Sequence, residues 1–185
     1  AREAALNPNT FYRHFRNMDD LGLQLLREGN DRLRGPLRAL RRQAAQQSIA
    51  DNTTDSTQEA ALRGRRVAQQ TVKLYFDYVL EHRDSVVIAG RELHGPSELL
   101  RAELREQMNG FAEDMAADIQ ELGLAPSSIS AARINQIAAL LSRNLFHLSL
   151  DFIAEPERRD NILELAHEQI IMLFAGASVL QDKAG

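Results

Sequence analysis

The chain has 185 residues, 44% hydrophobic and 26% charged, which is enough for a sizeable core and ordinary for a globular protein. Cys is absent, which excludes a disulfide scaffold, a thiolate metal site and a cysteine nucleophile; Trp is absent and aromatics are only 5%, which leaves no stacking platform for single-stranded nucleic acid. Charge is uneven: residues 1–66 hold 12 Arg against 8 acids, a net +4, and residues 67–185 hold 10 cations against 18 acids, a net −8, so a basic front suited to a polyanion precedes an acidic body.

The string opens at Ala1 with neither Met nor a basic-then-apolar signal pattern, and reads as a cut chain from the cytoplasm. Asn7 followed by Pro8 is a helix start, because Asn caps and Pro at the first helical position gives up no hydrogen bond. The helix expected over 8–15 is about two turns long and stops where Asn17 caps the next one, with Asp19 and Asp20 in that helix's first turn. Leu6, Phe11 and Phe15 can pack inward, which leaves Asn9, Thr10, Tyr12, Arg13, His14 and Arg16 on the outside. A short helix with an apolar back and amide, hydroxyl, imidazole and guanidinium groups in front suits a DNA major groove.

The run Thr10-Phe11-Tyr12-Arg13-His14-Phe15 resembles the recognition helix of the TetR family of bacterial transcriptional regulators, and the resemblance covers roughly residues 1–26. It implies a helix-turn-helix that has lost its first helix and most of its second, with residues 1–17 as the remnant and 18–185 as a helical ligand-binding and dimerisation domain. Ala5 stands where the family usually has Gly in the turn, and Met18 where many members have a phosphate-reaching Lys, with Arg16 the nearby replacement charge. The resemblance implies DNA contacts from Asn7, Asn9, Thr10, Tyr12, Arg13, His14 and Arg16. The variant from Phe15 to Gly22 is most similar to the branch that represses unsaturated fatty acid synthesis, which implies a fatty acyl-CoA effector.

The rest reads as helix, without convincing strand alternation. Residues 48–57, rich in Asn, Asp, Ser and Thr, read as an exposed loop. Helices are expected over 57–82, 84–93 and 98–122, with a break at His94-Gly95-Pro96, Ser97 as an N-cap and Gly123 as a C-cap. Tyr75, Phe76 and Val79, then Val87 and Ile88, then Met108, Phe111 and Met115 offer apolar groups beyond the needs of a simple bundle, although at helical spacing such residues are more often plain core. Unbranched Met can adapt to an acyl chain. Arg91 among apolar neighbours either reaches solvent or meets an anionic group, a ligand head or Glu92 or Glu98.

A helix over 130–154 places Ile134, Ile137, Leu141, Leu145, Leu148 and Phe152 on one stripe, with Leu140 and Asn144 on a neighbouring face. A last helix follows Pro156, with Leu163, His167, Ile170 and Phe174 on its stripe. Ile137, Leu140, Leu141, Asn144, Leu148, Ile170 and Phe174 are the expected two-fold dimer interface. No uninterrupted apolar run reaches the roughly 20 residues of a spanning helix, so no membrane partner is expected. Neither a cofactor nor a metal is expected: Glu164 and His167 have the spacing of a bundle metal motif, but no second copy occurs. The expected class is therefore an all-α, non-enzymatic transcriptional regulator that binds a double-stranded DNA operator as a homodimer and answers to a small apolar or acyl ligand. The alternative is a helical small-molecule-binding protein with no DNA role.

Overall fold

The computed structural model describes residues 12–50 and 57–180. Among them every regular element is helical. Residues 12–14 form a short helical turn. Then come α1 (Met18–Ala50), α2 (Thr57–Glu81), α3 (Arg83–Glu92), α4 (Glu98–Glu121), α5 (Ala131–Ala154) and α6 (Arg159–Leu180), with a 3-10 turn at Pro156–Arg158. Leu6, Asn7, Asn9, Thr10 and Phe11 lie outside the described residues.

The helix ends follow from local chemistry. Asn17 Oδ1 accepts from the Asp20 amide at 2.8 Å, and Asp20 Oδ2 accepts from the Arg16 amide at 3.0 Å, so α1 starts where the sequence places it. Ser97 and Ser130 cap α4 and α5 with their hydroxyl oxygens. Gly123 has φ +58°; its amide donates to the Gln120 carbonyl and the Leu124 amide to the Ile119 carbonyl, the paired bonds of a glycine-terminated helix. The expectation of a loop over 48–57 is corrected at its start, since α1 runs to Ala50, while α2 begins at Thr57 as expected. A polar helix can continue past its last core contact when its backbone bonds stay internal.

α1 lies along both α2 and α4, α4 packs chiefly on α5, and α6 closes the bundle against α5 and α2. One core cluster joins Ala44, Ala45, Val67, Ile119, Ile137 and Leu141; a second joins Val72, Phe76, Val79, Leu148, Phe152 and Ile162. The Phe76 and Phe152 rings sit 4.6 Å apart. A Cβ on Gly64 would come within 2.2 Å of the Leu124 carbonyl oxygen, so only Gly lets α2 approach the loop after α4 this closely.

By length and composition alone, α5 and the segment Pro156–Leu180 are long and apolar enough to cross a membrane, contrary to the expectation from uninterrupted runs. An average over a window tolerates interruptions such as Asn144 and Ser149, which a run does not. In this fold those two polar groups are engaged, Asn144 with Gln169 and Ser149 with the Phe146 carbonyl.

Candidate functional site

A cavity of about 330 Å³ lies inside the bundle, walled by residues of all six helices. Leu33, Val72, Val79, Met108, Phe111 and Leu145 are among its apolar lining. The wall along α1 extends from Leu25 to Arg41, about 24 Å of helix, so the site is elongated. Tyr75, Val79, Met108, Phe111 and Met115, five of the expected ligand residues, line it. Phe76 does not: it is buried against Phe152 in the second core cluster. Arg91 does not either, since it is exposed on α3, and Val86 and Ala89 face the cavity in place of Val87 and Ile88.

The polar groups of the wall are largely engaged with the protein. Tyr78 donates to the Gly29 carbonyl at 2.8 Å and stacks on His82, 4.2 Å between ring centres. Tyr75 donates to the Leu145 carbonyl at 3.4 Å, and burial pushes its phenol up to about 12, which keeps it protonated. Ser142 donates to the Met108 carbonyl at 2.7 Å.

An ionic ladder that the sequence reading did not single out flanks the cavity, with cations on α1 and carboxylates on α4. Arg27 pairs with Glu103 at 2.8 Å, and Arg34 makes a close contact with Asp114. Arg38 stands 3.4 Å from both Asp114 and Asp118, and Arg42 3.8 Å from Asp118 and 3.5 Å from Glu121. Arg41 lines the cavity and meets buried Asp118 at 2.7 Å. The Arg34 hydrogen bonds hold the Asp114 carboxyl below its ordinary range; burial opposes them, and the charges of Arg34, Arg38 and Arg41 add to them. The same cause, a hydrogen bond from Arg27, lowers Glu103. The signal was present as four-residue steps, Arg34-Arg38-Arg42 and Asp114-Asp118. Such steps also describe any solvated helix face, and only the pairing of α1 with α4 separates the two.

Tyr12, Arg13 and His14 are exposed, and Phe15 is half-buried. Arg16 is exposed, 3.9 Å from Asp20. The remaining expected DNA contacts, Asn7, Asn9 and Thr10, lie outside the described residues.

Of the expected interface residues, Ile137, Leu141 and Leu148 are buried within the chain. Ile170 and Phe174 line the cavity, and Asn144 bonds Gln169. Leu140 alone among the seven is exposed, at 55%. Glu164 is exposed and His167 half-buried. No known protein-family model matches the chain.

Proposed function

We propose that this chain is a DNA-binding transcriptional regulator, acting as a repressor, whose operator binding is controlled by a small apolar molecule held in the bundle cavity. The TetR-like recognition run supplies the DNA half of this reading, and fatty acyl-CoA is the ligand that the resemblance suggests. One observation carries the coupling. α1 starts at the Asn17 cap, directly after the segment holding Tyr12, Arg13, His14 and Arg16, and continues as a wall of the cavity through Leu33, Leu37 and Arg41. A ligand that favours one position of α1 therefore biases the DNA-facing segment through one continuous helix, in which Pro36 removes one internal hydrogen bond, and a shared element of this kind is what coupling between two sites requires.

Repression in this reading is the work of a homodimer, with its two recognition segments about 34 Å apart along one face of DNA, or a multiple of that. The chain acts in the cytoplasm and does no chemistry of its own. The test is a gel-shift titration of the full-length protein against the DNA flanking its gene. Tyr12→Ala and His14→Ala are expected to weaken binding about tenfold at unchanged helicity, as lost contacts from exposed side chains do. Retained ligand binding without any retarded DNA species would favour the small-molecule-binding alternative.

A further inference from the structure

Among the described residues, Arg41 is the one charged side chain that is both buried and part of the cavity wall. It is the last described α1 residue of that wall, about 24 Å along the helix from Leu25, so it stands at one end of the elongated site. Between the two, α1 contributes Leu33 and Leu37, and the facing helices contribute Val72, Met108 and Phe111. Arg41 also keeps donors for a further partner. Its Nε and Nη2 are both turned to Asp118 Oδ2, each at 2.7 Å. A guanidinium carries five N–H groups, and Nη1 has no hydrogen-bond partner among the described residues. Asp118 is not part of the wall, so it holds the guanidinium from outside the cavity, and 7% of the Arg41 side chain stays accessible. The surrounding carboxylates do not balance the cations. In this stretch of the ladder the guanidiniums of Arg34, Arg38, Arg41 and Arg42 face only Asp114, Asp118 and Glu121, which leaves one positive charge over. Among the described residues that line the cavity there is no Asp or Glu, and exposed Arg65 is the other guanidinium.

We infer that Arg41 anchors the head of the cavity ligand, and that this ligand is a single-chain apolar carboxylate lying along α1 with its tail toward Leu25. The inference rests on the proposed ligand role of the cavity and narrows an acyl ligand to its free acid. A carboxylate here exchanges water for charge-assisted hydrogen bonds from Nη1 and balances the spare cation. An alcohol can accept the same bonds but leaves that charge uncompensated. A quaternary cation meets a like charge and no carboxylate in the wall. A thioester keeps the acyl chain but brings no charge to Arg41.

Calorimetry on the full chain with decanoate, decanol, decyltrimethylammonium and decanoyl-CoA, equal in chain length, separates these cases without any DNA. Decanoate is expected to bind about tenfold more tightly than decanol, and the ammonium most weakly. Arg41→Met alone would strip Asp118 of its closest partner, so the variant to use is the double Arg41→Met with Asp118→Asn. It removes the pair together, strands no buried carboxylate and leaves Arg38 and Arg42 with Asp114 and Glu121. Thermal melting should report it folded, with decanol bound as before and the preference for decanoate lost. Decanol or decanoyl-CoA binding as tightly as decanoate to the parent chain would overturn the inference and leave the ligand role of the cavity standing. If none of the four bound, both would fall together. A decanoate preference undiminished in the double variant would overturn the assignment to Arg41.

Discussion

Asp118 has no exposed surface, and its two oxygens are shared among Arg38, Arg41 and Arg42. Arg41 is itself almost fully enclosed. Removing Asp118 leaves the enclosed Arg41 guanidinium without its carboxylate, which is costlier than never having built the pair, whereas Arg38 and Arg42 keep Asp114 and Glu121. Asp118→Ala is therefore expected to lower stability by about 3–5 kcal/mol, read from urea unfolding at neutral pH. Asp114 makes a different prediction through protons. Its carboxyl is held below the ordinary carboxylate range in the folded chain, chiefly by Arg34. The stabilisation is full above the unfolded carboxylate value and is lost as pH falls through the depressed folded one. The urea midpoint should thus drop on acidification below the usual carboxylate range, and Asp114→Asn should be less stable at neutral pH and respond less to acid. A variant with the full acid response of the parent would show that the bonds from Arg34 carry no linkage.

At the scale of elements, the helices were legible wherever the chain punctuates itself. Asn17, Ser97 and Gly123 are residue types with one local reason to stand where they do, and the structure uses each for that reason. Gly123→Ala tests the last. At φ +58° a Cβ is strained although nothing lies within 4 Å of it, so a loss of about 1 kcal/mol is expected from backbone conformation alone, measured by thermal melting. The start of the polar stretch after residue 47 was less legible, because composition signals solvent exposure and not the absence of a helix. Side-chain destinations were legible only in part. The stripe through Ile137, Leu141 and Leu148 was read as needing a cover, and the structure covers it inside the chain. Periodicity identifies a buried face without naming what buries it. For the same reason Met108 and Phe111 could be read as cavity or core, and Phe76, at similar helical spacing, went to the core. For Arg91 the sequence left solvent and an anionic partner both open, because on a ten-residue helix a one-position change of face decides between them, and the structure turns it to solvent.

The whole molecule leaves an apolar surface on its last two helices. Leu140 on α5 is exposed, and α6 presents Leu165, Met172 and Val179, each seven residues from the next and so on one face. Met172 is 59% exposed and Val179 67%. The proposed homodimer places this face on its two-fold copy, giving an α5–α6 pair from each chain. The residues that test it are accordingly not the buried ones. Leu141→Glu would put a charge where exposure is 2% and report on folding instead of association. Leu140→Glu and Met172→Glu leave the core untouched. Each removes an apolar contact of about 1.5–3 kcal/mol and sets like charges against each other across the two-fold axis. In sedimentation at micromolar concentration the parent chain is expected to run as a dimer and the double variant as a folded monomer. The monomer should still bind the cavity ligand, since none of the changed residues lines that cavity. Operator affinity should fall far more than ligand affinity, because one recognition segment cannot span two half-sites. A parent chain that sediments as a monomer would end the dimer reading, and with it the explanation for this exposed face.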